Sequence, residues 1–195
     1  RHPLTPEADR QKDAAQIDIE SYSAPIDTKK ITIDLLSKRI KLSAKRWAGK
    51  SFLGVLAYER ILAQFGDNVR IINVVRDGRD VIVESNKKVL AKHDVSPERW
   101  VYNVQAGIKV ETHPQVLTVR YEELVRDYEK TMRGICEFIG EADPTPFWMY
   151  PKGATMVEAG YWVGRWNQAQ FSERVDYLLK IPEALICLRH YGYLD

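Results

Sequence analysis

Apolar positions along the chain fall into two kinds of short run. Val69 to Val75 is rich in β-branched residues and bounded by charge and turn residues. It reads as a strand buried on both faces. Gln115 to Tyr121, Gln-Val-Leu-Thr-Val-Arg-Tyr, reads as a second strand. Elsewhere the apolar residues recur at helical spacing. Leu53, Leu56, Ile61, Leu62 and Phe65 give one buried face to a helix that Gly66-Asp67 ends. Val81-Ile82-Val83 lies in a segment that reads as helix to about Leu90, with the chain breaking at 93–97. Ser96-Pro97-Glu98-Arg99 has a Ser at N-cap and a Pro in the first turn, and Trp100, Val104 and Ile108 follow. Glu122-Glu123-Leu124 opens a helix that continues through Met132, Ile135, Cys136, Phe138 and Ile139 and stops at Gly140. Val163-Gly164-Arg165-Trp166 precedes a final helix. Helices alternating with short buried strands build parallel sheets, so the expected class is α/β.

The ends of this pattern are less regular. Residues 1 to 30 are polar, with Pro3, Pro6 and Pro25, and suggest loop with one short helix near Pro6 to Ile17. Residues 32 to 45 read as mixed helix. Lys29, Lys30, Lys38, Arg39, Lys41, Lys45 and Arg46 cluster there. They form either a solvated helix face or an electropositive wall for an anionic cofactor or substrate. Residues 141 to 160 are loop-like, with three prolines and two glycines.

Composition adds bounds. With 195 residues, 45% apolar and 29% charged, the chain has the make-up of one soluble globular domain over 1–195. A net charge of +2, from 29 basic and 27 acidic side chains, gives no charge argument for nucleic acid. No apolar run approaches the ~20 residues that span a bilayer, and no charged-then-apolar leader opens the chain. A cytoplasmic location is therefore expected. Cys136 and Cys187 sit in apolar helical patterns and read as buried thiols. The four histidines have no ligand spacing, so no metal is expected.

The candidate chemistry lies at the end of the first strand, in Arg76-Asp77-Gly78-Arg79-Asp80. A buried strand that delivers two arginines to a helix start suits an anion. Arginine presents a planar fork of donors to a phosphate, and free N–H groups at a helix N-terminus add to it. A surface turn with Arg–Asp pairs is the plainer alternative, and the residues alone leave both open.

Several segments in order then resemble sulfotransferases that use 3′-phosphoadenosine-5′-phosphosulfate (PAPS). Residues 76–81 are similar to that family's Arg-Asp-Pro-Arg-Asp-Val motif, with Gly78 in the proline position. The resemblance implies that Arg76 holds the 3′-phosphate. The family's serine falls eight residues on, where this chain has Glu84 and then Ser85. A carboxylate facing a phosphate is repulsive, so a one-residue shift that brings in Ser85 is expected. Val119 to Thr131 resembles the family's "RYEDLxxDPxxT" segment, which implies that Tyr121 packs near the adenine. Trp47-Ala48-Gly49-Lys50-Ser51 resembles a Trp-x-x-Lys-Thr segment, so Lys50 is the implied contact to the sulfuryl group or its bridging oxygen. The late Gly-Arg-Trp loop implies Lys152, Gly164, Arg165 and Trp166 around the 3′-phosphate, although Trp166 reads equally as a core anchor.

The implied fold is a nucleotide-kinase-like, three-layer α/β/α domain with a parallel central sheet. Residues 47–195 form its family-like core and 1–46 an irregular, helical N-terminal part. The implied reaction is in-line transfer of a sulfuryl group from PAPS, without a metal, to a hydroxyl or amine of a carbohydrate or small molecule. Two departures matter. Phe52 stands where the cytosolic branch has a histidine base, which argues for the carbohydrate-type or bacterial branch. The family's Gly-Ser-Gly-Thr-like loop for the 5′-phosphosulfate is not found. Gly49-Lys50-Ser51 lacks the upstream glycine of a P-loop, which also weakens a nucleotide-kinase reading. The expectation is that the first strand, the donor loop and a carboxylate base lie upstream of Arg1. Glu7, Glu20, Glu59 and Glu84 are the weaker base candidates within the chain. A non-catalytic module of the same fold is the remaining alternative.

Overall fold

The computed structural model describes residues 57–84, 95–141 and 160–195, together with Lys30, Arg46, Ala48 and Gly49. The helix expected near Pro6, most of the basic cluster, the start of the 53–65 helix and residues 142–159 of the expected loop lie outside them. So do Lys50, Phe52, Ser85 and Lys152. The chain divides into two compact units, Arg1–Ser51 and Phe52–Asp195. Every element below belongs to the second.

Its order is α1 (Tyr58–Phe65), β1 (Ile71–Val75), α2 (Gly78–Val83), α3 (Pro97–Ile108), β2 (Val116–Arg120), α4 (Tyr121–Arg126), α5 (Tyr128–Ile139), α6 (Ser172–Leu179) and α7 (Pro182–His190). β1 and β2 pair in parallel, from Ile71↔Val116 to Val75↔Arg120. The protein is α/β with a parallel sheet. Two strand-rich apolar runs separated by a helix-bearing crossover can pair side by side only in this sense when the connection returns to the same end.

Burial of β1 differs from the sequence reading. Ile71 and Val75 are buried, but Ile72 and Val74 are 38% and 53% exposed. A run apolar on both faces does not reveal which face of β1 is packed, and here the Ile71 and Val75 face carries the core. On that inner face Asn73 is polar and satisfied: it accepts from the Tyr58 hydroxyl (3.0 Å) and donates to Thr118 Oγ1 (3.4 Å).

Three helices differ from the sequence reading. α2 starts at Gly78, where the Asp77 carboxylate accepts from the Arg79 N–H (2.9 Å) and caps it. It ends at Val83, short of about Leu90, with Glu84 extended (φ −76°, ψ 108°), and residues 85–94 lie outside the described ones. The helix after β2 is two helices, since Asp127 leaves helical geometry (φ −133°, ψ 65°). Hydrophobic spacing carries across such a kink and cannot show it. The final helix is also two. Pro182 disfavours the α conformation at the residue before it, and Ile181 is extended (φ −87°, ψ 113°). Other signals agree with the sequence. Ser96 caps α3 by accepting from the Arg99 N–H (3.2 Å). Gly140 ends α5 in the left-handed region (φ 71°), and the Glu141 N–H reaches back to the Cys136 carbonyl (2.8 Å). Cys136 and Cys187 are buried thiols that form no disulfide.

The main core joins β1 to α2, α3, α6 and α7 through Val75, Ile82, Trp100, Val104, Leu178 and Leu188. A smaller cluster, Ile71, Val110 and Val116, packs under α1. Trp100 is the contact that shapes the β1–α2 turn. Its Nε1–H donates to the Arg76 carbonyl (3.2 Å). Its ring covers Gly78 so closely that a Cβ there would lie 2.6 Å from it.

The carboxyl terminus is tied back to the same turn. Arg79 is buried, with Nε and a terminal amine on both Asp77 oxygens (2.7–3.1 Å). Its terminal amine also donates to the Tyr193 carbonyl (2.8 Å). Glu122, also buried, accepts the Asp77 backbone N–H (2.9 Å) and the Tyr193 hydroxyl (2.8 Å). The Arg120 guanidinium lies 4.6 Å over the Tyr193 ring.

Two outcomes follow. Gly78→Ala forces its new methyl into Trp100, and overpacking of this kind costs about 1–3 kcal/mol. Chemical denaturation should show a loss in that range, and an unchanged midpoint would contradict the Trp100 contact. The second concerns alkaline stability. Burial, with the Glu122 charge and hydrogen bond, pushes the Tyr193 phenol well above its ordinary 10.0. Below pH 10 both folded and unfolded chains hold this proton, so its contribution is complete. Above pH 10 the unfolded chain releases it first, and stability falls by about 1.4 kcal/mol per pH unit. Tyr193→Phe lacks this component, so the stability difference between wild type and variant should shrink above pH 10. A difference that stays constant would contradict the Glu122 contact.

Candidate anion-binding site at the strand tips

The register that ends at Val75↔Arg120 brings Arg76 and Tyr121 out of the sheet as neighbours. The Arg76 guanidinium lies 4.8 Å from the Tyr121 ring centroid, within cation–π range. Its side chain is only 15% exposed. One terminal nitrogen donates to Glu84 (2.5 Å) and the other to the Trp162 carbonyl (2.6 Å). Nε is buried and has no hydrogen-bond partner among the described residues, as is also true of the Arg120 Nε. Arginine has five N–H donors, so Arg76 keeps donor capacity here. Burial pushes the Tyr121 phenol up, against the opposing pull of Arg76, and it is a neutral ring at neutral pH.

The late loop reaches this point from the other end of the chain. Gly164 is left-handed (φ +77°), a conformation glycine adopts without the Cβ penalty. Its N–H donates to Asp80 Oδ2 (2.7 Å), and the Trp166 N–H donates to Asp80 Oδ1 (3.1 Å). Burial raises the Asp80 pKa, and these two backbone N–H groups oppose the rise. Arg165 stacks on Trp162 (4.4 Å) and lies 5.8 Å from the Phe171 ring centroid. Trp162 therefore meets two guanidinium groups, Arg76 at its carbonyl and Arg165 at its ring.

Of the residues singled out from sequence, the structure brings Arg76 and Tyr121 into contact and links Gly164, Arg165 and Trp166 to them through Asp80 and Trp162. Glu84 pairs with Arg76 from an extended position just past α2, while the shift expected to bring in Ser85 falls outside the described residues. Two expectations change. Arg79 is not a second anion-binding arginine: Asp77 holds it in the interior, and Trp166 stacks on it at 3.9 Å. The α2 N-terminus is capped by Asp77 rather than open to an anion. Trp166 also packs against the main core, so its ring is an anchor. Asp80, Glu122 and Trp162 were not legible as site residues. A carboxylate directly before Val81-Ile82-Val83 was the available sign for Asp80. Trp162 acts through its carbonyl, which side-chain identity does not reveal.

Among the described residues, no group of three or more His, Cys, Asp or Glu side chains could hold a metal ion. No described helix is long and apolar enough to cross a membrane.

The sequence profile described as "Sulfotransferase family" matches residues 7–145 of the 195. No curated protein and no solved structure matches the chain significantly. The matched span takes in both strands, the Arg76 turn and Tyr121, and on this match the chain belongs to the sulfotransferase family.

Proposed function

We propose that the strand tips bind the 3′-phosphoadenosine end of PAPS, and that the protein transfers its sulfuryl group to a hydroxyl or amine of a carbohydrate or small molecule. The observation that carries this reading is Arg76. It is largely buried, lies against the Tyr121 ring and keeps Nε without a partner. These residues fit the nucleotide: a fork of donors for a phosphate, beside an aromatic face for a purine. Arg165, held on Trp162, adds a second cation. Lys50, Ser85 and Lys152 belong to the proposal through the resemblance alone.

Glu84 is the group a phosphate has to displace. It is 45% exposed, and a carboxylate carries one negative charge where a phosphate carries about −1.5 to −2 at neutral pH. Two unit charges 4 Å apart attract by about 4 kcal/mol near a protein surface. A doubly charged group therefore gains more from Arg76 than Glu84 does. Sulfuryl transfer supplies an electrophilic sulfur and a stable phosphate leaving group. What the protein adds is position and charge stabilisation. Arg76 and Tyr121 would fix the nucleotide so that the acceptor meets the sulfur in line.

One observation favours a second reading, a non-catalytic module: Glu84 already satisfies part of Arg76. Titration with PAP, the desulfated donor, separates the two. The enzyme reading expects micromolar binding. Arg76→Ala should weaken it by about 10- to 100-fold, the range for losing a charged hydrogen bond. Tyr121→Leu should weaken it about 10-fold through lost stacking, and Glu84→Gln should strengthen it. Absence of PAP binding, or binding indifferent to Arg76, would overturn the proposal and favour the module.

A further inference from the structure

The segment 76–80 touches the late loop at three points, and only one of them involves a group that the proposed function uses. Arg76 donates to the Trp162 carbonyl (2.6 Å). Arg79 stacks on Trp166 (3.9 Å). Asp80 accepts from the N–H groups of Gly164 (2.7 Å) and Trp166 (3.1 Å). Asp80 is 1% exposed. Two arginines lie within four positions of it in sequence, yet neither forms an ion pair with it. Arg79 goes to Asp77 and Arg76 to Glu84. A buried carboxylate is costly unless its oxygens are hydrogen-bonded. Here both are, to backbone amides of one short loop more than eighty residues away.

We infer that Asp80 is a positioning residue for the nucleotide site: it fixes the 162–166 loop so that Trp162 meets Arg76 and Arg165 is held over Trp162. The inference rests on the proposed function for its consequence, PAP affinity, but not for the loop contact itself. Asp80 reaches no ligand. It acts through the backbone of Gly164 and Trp166, and the left-handed Gly164 lets the chain present both N–H groups to one carboxylate. Among the described residues, Arg76 and Asp77 are charged groups that act on Asp80 through space. Of these, Arg76 is the proposed phosphate ligand, so the positioning group and the binding group share one field.

Asp80→Asn tests this with almost no change of volume. The amide keeps one acceptor, and its NH2 meets a backbone N–H, so one of the two bonds is lost. Amide hydrogen exchange should then speed up by 10-fold or more at Gly164 and Trp166, with α6 unchanged. PAP affinity should fall about 10-fold. In the double-mutant cycle with Arg165→Ala the two losses should be non-additive, because both act through the same loop; a residue that merely supports the fold would give additive losses. If Asp80→Asn does not fold, Gly164→Ala gives the same readings. Its methyl meets no atom within 4 Å, so it strains only the left-handed backbone.

Unchanged exchange at Gly164 and Trp166 overturns the inference whatever PAP does. Faster exchange with unchanged PAP affinity, while Arg76→Ala still weakens binding, also overturns it and leaves the proposed function standing. If wild type binds no PAP at all, the proposed function falls. The positioning role in that site falls with it, and exchange then reports only on the loop contact.

Discussion

The parallel register of two strands is the constraint on which the rest depends. Val75 pairs with Arg120, so the chain leaves the sheet twice at the same place. Arg76 then meets Tyr121, and the Asp77 backbone N–H meets Glu122. A slip of one residue would send each of these side chains to the opposite face. It would separate the guanidinium from the ring and leave Glu122, which is buried, without the Asp77 amide. The core fixes the register through Ile71, Val75 and Val116 on one face, and Val119 is buried on the other. The Glu122 contacts pin it at the tip.

Beyond the tip, five consecutive residues divide into distinct physical roles. Arg76 faces the site. Asp77 caps α2 and neutralises Arg79. Gly78 makes room for Trp100. Arg79 lies inside, between Asp77, Trp166 and the carboxyl terminus. Asp80 holds the late loop. Of the two arginines, only Arg76 lies beside the Tyr121 ring at the strand tips. The other is part of a buried pair, whose disruption typically costs about 3–5 kcal/mol because it strands a charge. Arg76→Ala and Arg79→Ala should accordingly fail in different ways, the first in binding and the second in folding.

How much of this was legible in the sequence depended on which force set each feature. Both strands and the Ser96 and Gly140 helix ends follow from local apolar spacing and capping chemistry, and they were readable. Arg76 stands out in the sequence because it ends an apolar run, and Tyr121 because residues 119–131 resemble a family segment. The kinks at Asp127 and Ile181 were not, although Pro182 was a visible reason for the second. The exposed face of β1 escaped because Ile72 and Val74 are as apolar as the residues that do pack. The Asp80 clamp and the Trp162 carbonyl were the least accessible. Both are long-range contacts to backbone atoms, and residue type says nothing about where a backbone N–H or C=O will find its partner.

The central claim is that the donors of Arg76 take up a 3′-phosphate. The Arg76 Nε–H resonance, followed by NMR, reports on it directly, because that group is buried and without a hydrogen-bond partner. The account predicts a downfield shift of this one resonance on adding PAP, and no such shift with adenosine 5′-phosphate, which lacks the 3′-phosphate. An Arg76 signal that ignores PAP, or answers both nucleotides alike, would contradict it.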